Sequence, residues 1–172
     1  MKFVGIDPGV SGGLAFFENG KLALCEPMPV IEGPGGTELD MTRIAEFLAA
    51  THGRADQVFI EKSQAIYKPG SQTAYAAQAF SYGCGYGLLR GLCHGLGLPY
   101  YLIHPQKWQR ELLGKFAKGE SKGAAAIRAQ QLFPRFMFRA SERCKKNHEG
   151  MVDAALIGIY GQRAFFPKEV PV

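Results

Sequence analysis

Three short apolar runs open the chain and decide most of what it can become. They are Phe3 to Ile6, Leu14 to Phe17 and Lys21 to Cys25, and Glu18-Asn19-Gly20 separates the second from the third. Asn-Gly between apolar runs is a strong hairpin signal, because both residues tolerate the positive φ that a tight turn needs. Residues 1 to 26 therefore predict three successive antiparallel strands.

Strands and helices alternate after that. Pro27 to Gly36 is rich in Pro and Gly and reads as loop. Asp40 suits the cap of a helix from Met41 to Ala50, with Ile44, Phe47 and Leu48 at helical spacing. Val58-Phe59-Ile60 is a short buried strand that ends at Glu61. Tyr67 to Gln72 contains Pro69-Gly70 and reads as loop. A long helix then runs from Ser71 or Thr73 to His94. It carries Gly83, Gly85, Gly87 and Gly91, each costing up to ~1 kcal/mol relative to Ala. Gly83, Gly87 and Gly91 share one face, which implies close approach of the sheet or of a second copy of the chain, or else a helix broken by a loop. Pro99 to Ile103 is a further strand, and Pro105 suits the first turn of a helix to Leu113. Gly114 to Gly119 is a basic connection, Ser121 to Phe133 a helix, and Pro134 to Asn147 a basic loop. Asn147 suits the cap of the last helix, His148 to Arg163. This order implies an α/β fold, a mixed sheet with helices packed over it, in a single domain spanning residues 1 to 172.

Composition narrows the class. With 47% hydrophobic and 20% charged residues the chain is globular rather than disordered. No secretory segment is recognisable, and no run approaches the ~18 apolar residues of a membrane span. A soluble cytoplasmic protein with no membrane partner is expected. Cys25, Cys84, Cys93 and Cys144 form no Cys-x-x-Cys pair, and the histidines match no zinc spacing, so idle thiols are expected. Charge is segregated. Residues 104 to 147 hold 11 Lys/Arg against 3 Asp/Glu, a net of +8, between two mildly acidic segments. Clustered cations of this kind suit a polyanion such as DNA.

The stretch "GIDPGVSGG", residues 5 to 13, admits two interpretations: a glycine loop cradling a phosphate, or a turn presenting Asp7 to a metal. The other carboxylates favour the second. Asp7 ends the first strand and Glu61 ends the Val58 strand. Glu149 and Asp153 lie four apart at the start of the last helix, hence on one face. If the two strands pair in parallel, all four carboxylates can converge at one sheet edge. Such a cluster is costly without a cation. Hard oxygen ligands suit Mg²⁺ or Mn²⁺, and two such ions ~3.5–4 Å apart serve in-line phosphoryl displacement. Pro8 has no N–H to donate, so the turn is poorly built as a phosphate nest.

The motifs "FVGIDPGVSGG", "VFIEKSQA", "QAFSYGCGYGLLRGL", "HPQKWQRELLG", "KGESKGAAAIRAQQLFP" and "HEGMVDAALIGIYG" resemble the RuvC family of Holliday junction resolvases, in family order from Lys2 to about Gly161. They are nearest to the compact RuvC-like resolvases of phage and phage-related loci. The resemblance implies an RNase H-like fold, with a five-stranded mixed sheet and helices on both faces. It also implies a homodimer, two Mg²⁺ per site with Mn²⁺ as a substitute, and symmetric nicking of four-way branched DNA. By position Asp7, Glu61 and Asp153 match catalytic, metal-binding acids. Many bacterial members carry an acid or a His where this chain has Gly150, so Glu149 takes the fourth ligand role, with His148 as a proton donor. Lys122 matches a family lysine suited to phosphate, with Lys107, Arg110, Lys115 and Lys118 nearby. Tyr67 is the candidate aromatic at the junction centre, and Trp108 is expected to be a packing residue.

Three other functions compete. Sugar kinases, actin and the Hsp70 ATPase domain share this core and opening turn, but they close two lobes over a nucleotide and 172 residues supply one. No Walker A motif is present, so no nucleotide cofactor is expected. A non-catalytic branched-DNA-binding module would leave the acidic set beside phosphate without purpose. A broader flap or branched-DNA debranching nuclease would use the same site.

Overall fold

The computed structural model describes residues 1–33, 36–49, 54–62, 72–117 and 119–167. Strands β1 (Lys2–Asp7), β2 (Gly13–Glu18) and β3 (Lys21–Pro27) form the expected meander. Asn19 and Gly20 turn the second hairpin with φ of 51° and 77°. Among the described residues the main sheet has five strands in the order β3-β2-β1-β6-β7, where β6 is Gln57–Glu61 and β7 is Tyr100–Ile103. β6 runs parallel to both β1 and β7.

Strand alternation sends β1 side chains to two cores. Val4 and Ile6 pack with Phe16, Val58 and Ile60 beneath α1 (Met41–Ala49) and α2 (Gln72–Gly95). Phe3, Phe17 and Phe59 lie on the other face, beneath α3 (Pro105–Leu113), α4 (Ser121–Leu132) and α5 (Glu149–Phe165). Phe3 and Phe17 stack there with ring centroids 4.5 Å apart. The result is an α/β fold of the RNase H-like kind, with helices on both faces of a mixed sheet.

α5 lies across β1 and β2 and meets β1 backbone to backbone at Gly5 and Gly158. A Cβ on Gly5 would come within 2.5 Å of the Gly158 nitrogen. Only paired glycines permit this approach, and it fixes the last helix directly on the first strand.

The structure corrects the sequence expectations in three places. The stretch Pro27 to Gly36, expected to be loop, contains β4 (Val30–Gly33), which pairs with β5 (Gly36–Leu39) just beyond it in an antiparallel hairpin where Val30 faces Leu39. Its β-branched residues Val30, Ile31 and Thr37 outweigh Gly33 and Gly36 at the ends of the two strands. α2 is unbroken despite its glycines, and Gly83, Gly87 and Gly91 do not pack on the sheet. A Cβ at any of the three would meet nothing within 4 Å, whereas one on Gly85 would touch the Leu39 side chain. The last helix is capped by His148, not Asn147. His148 takes extended backbone, and its Nδ1 accepts from the Met151 N–H at 3.3 Å. Two expectations hold without change. Asp40 Oδ1 caps α1 by accepting from the Arg43 N–H at 3.0 Å. All four cysteines are free thiols.

Candidate active site

The parallel register of β1 and β6 pairs Ile6 with Ile60, so Asp7 and Glu61 leave the sheet side by side at the same edge. The turn after Asp7 closes through the Gly12 N–H, which donates to the Gly9 carbonyl at 2.8 Å. The first turn of α5 sits on this loop backbone to backbone. A Cβ on Gly13 would lie 2.6 Å from the Gly150 carbonyl oxygen, and one on Gly150 would collide with Gly12. This contact carries Asp153, one turn further along α5, to the Asp7–Glu61 edge. It also explains why position 150 holds no ligand: there is no room for a side chain.

Burial and the proximity of the acids shape their electrostatics. Burial, then the charges of Glu61 and Asp153, push Asp7 up to about 8, against a smaller opposing effect of the Gly9 backbone N–H. Burial, then Glu61 and Glu149, push Asp153 up to about 7, with Lys122 opposing. Burial also raises Glu61, and the Trp108 indole N–H works against that rise. Burial is the largest cause for all three, and it favours the protonated forms of Asp7 and Asp153 near neutrality. A divalent cation is what such a set of hard oxygens lacks, so the donor chemistry fits Mg²⁺ or Mn²⁺. As the side chains stand, no group of three His, Cys, Asp or Glu among the described residues closes around one point as a metal cage. Glu149 is turned to Lys122 at 2.5 Å, on the exposed side of α5. A cavity of about 230 Å³ lies beside it, lined by Lys122, Asn147, Glu149 and Asp153 among others.

The remaining sequence candidates separate. Lys122 begins α4, within reach of the acids, and is ion-paired with Glu149 rather than open to a phosphate. Lys107 and Arg110 lie exposed on α3, and Lys115 lies exposed just beyond its end. Tyr67 and Lys118 lie outside the described residues. His148 uses Nδ1 as an acceptor in the α5 cap, which leaves only Nε2 to carry a proton to a substrate.

Two residues gain a place at the site that the sequence did not give them. Trp108 is buried, as a packing residue should be, but its Nε1 also donates to Glu61 Oε1 at 2.7 Å. Tyr82 on α2 stands over the Asp7 turn. Its Cε2 would lie 3.7 Å from a Cβ on Gly9, and burial followed by the charges of Asp7 and Glu61 raises its hydroxyl pKa. No sequence signal marks Tyr82. For Trp108 the only hint is an aromatic with a polar tip on an otherwise polar helix.

The fold and the acidic edge define the class: an RNase H-like α/β protein with a carboxylate site at the ends of its central strands. Within that class the chain shares its fold with RuvC of Thermus thermophilus, at 19% identity and a TM-score of 0.58, with each chain covered in full. It also matches T. thermophilus RuvC solved in complex with a Holliday junction substrate, at 16% identity and a TM-score of 0.61, again covering both chains in full. No family model matches the sequence, and no curated protein does. At these identities the likeness is one of fold.

Proposed function

We propose that this protein is a metal-dependent endonuclease that resolves four-way DNA junctions by paired nicks. The observation that carries the proposal is the buried edge where burial raises Asp7, Glu61 and Asp153 together, and where the charges of Glu61 and Asp153 raise Asp7 further and that of Glu61 raises Asp153. A fold shared with a RuvC that was solved on a Holliday junction supports the choice of substrate. Asp7, Glu61 and Asp153 would hold Mg²⁺, joined by Glu149 once Lys122 lets it go. Bound ions of this type supply Lewis-acid stabilisation of the phosphate and a more acidic water. Lys122, freed by the same exchange, is placed to take a phosphate oxygen. Lys107, Arg110 and Lys115 would add phosphate contacts, part of the +8 carried by residues 104 to 147.

Two opposed strands must be cut, so two sites related by symmetry are needed, and we propose a homodimer. The candidate surface is the open glycine face of α2, where Cys84, Gly87, Leu88, Gly91, Leu92 and Met41 line an apolar groove.

The test is cleavage of a synthetic four-way junction beside matched duplex, flap and fork DNAs, with and without Mg²⁺. Rapid paired nicking of the junction alone, dependent on Mg²⁺, is expected. Equal rates on all branched substrates would replace resolution by general debranching. Binding without cleavage under any metal would leave a DNA-binding module.

A further inference from the structure

Glu61 leaves β6 at the sheet edge on a side chain with three rotatable bonds. To serve as a ligand it must hold one direction, and the strand alone cannot impose that. The structure supplies a partner from the other side. Trp108 Nε1 donates to Glu61 Oε1 at 2.7 Å, and the Trp108 ring is only 1% exposed. The ring is clamped in the core that also holds Ile103, Ala129 and Phe138. Its helix follows directly from β7, whose Ile103 is the register partner of Glu61. The Lys62 N–H donates to the Ile103 carbonyl at 2.7 Å and ties the two strand ends together. The acceptor therefore sits at the end of β6 and the donor on the helix that follows the neighbouring β7, and the indole cannot follow the carboxylate if it swings away.

We propose that Trp108 is a positioning residue that fixes the Glu61 carboxylate through Oε1 and leaves Oε2 to ligate a divalent cation. This rests on the metal-dependent reading given above. The chemistry of the donor suits the task. An indole N–H is neutral and can only donate. A lysine or arginine at this place would compete with the cation for the carboxylate and repel it. Partners that orient ligating carboxylates are typically worth 10–100-fold in metal affinity or activity. Trp108 is thus both part of the core and the rear wall of the site, two roles that substitution can separate.

Trp108 is the single tryptophan of the chain, so its emission reports on this one bond. Wild-type protein titrated with Mg²⁺ should change its tryptophan emission with the same midpoint as the heat measured by calorimetry. Trp108→Phe keeps a ring in the core and loses the N–H. It should bind Mg²⁺ roughly tenfold more weakly with an unchanged far-ultraviolet circular dichroism spectrum. Leu112→Ala loosens the same core without touching the bond, so it should lower Tm and keep wild-type Mg²⁺ affinity. Wild-type affinity in Trp108→Phe would overturn the positioning role while leaving the nuclease reading intact. So would silent wild-type emission during calorimetrically visible binding, an arm that does not need the variant to fold. Wild-type protein that binds no Mg²⁺ at all would overturn the metal reading and this inference with it.

Discussion

Lys122 Nζ lies 2.5 Å from Glu149 Oε2, so the exposed member of the four carboxylates already has a cation. Both side chains are mostly in solvent, at 73% and 60% exposure, and a pair so placed adds little to stability. Lys122→Ala should therefore leave Tm unchanged. If Lys122 meets a phosphate when DNA binds, the variant should bind the junction more weakly. Its plot of log K against log salt should be flatter by about one unit. Fluorescence anisotropy across a salt series measures both, and an unchanged slope would restrict Lys122 to holding Glu149.

Asp7→Asn keeps the shape of the turn and removes a charge from a place where charge is disfavoured. Cleavage should fall by more than the roughly 100-fold that loss of an outer partner costs a metal site. Junction binding should persist or tighten, because a negative charge near phosphate is gone. Single-turnover cleavage and a gel-shift titration on the same preparation distinguish this from misfolding.

The raised acids make stability depend on pH, with a definite sign. An aspartate whose folded pKa lies near 8 keeps its proton where the unfolded chain, near 3.8, has lost it. Its contribution is whole below about pH 4 and is lost progressively as pH rises to 8; Asp153, near 7, acts in the same direction. Metal-free protein should therefore melt several degrees lower at pH 8 than at pH 5. Mg²⁺ should raise Tm more at pH 8 than at pH 5, because it replaces the missing protons. Differential scanning fluorimetry over that range, with EDTA or with Mg²⁺, measures both slopes.

Gly150 packs against the turn after Asp7, and a side chain there would strike Gly12. Gly150→Ala should cost about 1–3 kcal/mol or more, the usual range for forcing atoms into a packed contact. Gly150→Asp should do no better, despite offering a ligand. Urea unfolding of the two variants gives the comparison.

Leu88, 53% exposed, borders the open groove on α2. Leu88→Glu should leave the monomer fold intact and convert the proposed dimer to monomers in light scattering. It should also uncouple the paired nicks, so that nicked junctions accumulate. A variant that stays dimeric would move the interface elsewhere.

Asp7, Glu61 and Asp153 are legible in the sequence because each stands beside an apolar run whose period fixes its place. Asp7 and Glu61 follow strand runs, and Asp153 interrupts a buried helical stripe. The parallel pairing that joins the first two is permitted by the sequence pattern and established by the structure. Trp108 is not legible in this way. Its bond depends on β7 lying next to β6, a neighbour relation between strands about 40 residues apart that local pattern does not encode. The α5 cap falls one residue beyond Asn147 because, although Asn is the usual capping type, an imidazole Nδ1 can accept the same kind of N–H. The open glycines of α2 show the opposite limit. Their shared face is plain from the spacing, but what covers it is not a property of one chain.

The contact of Gly13 with Gly150 binds the first turn of the chain to its last helix, and that has a consequence during synthesis. A nascent chain that has made β1 and β6 already displays Asp7 and Glu61, but Asp153 and the surface that seats it are more than 90 residues from Glu61. Until α5 leaves the ribosome and docks on Gly5 and Gly13, no third carboxylate is present. The carboxylate edge therefore stays incomplete until α5 docks, and products truncated before α5, however well their early strands pair, lack Asp153.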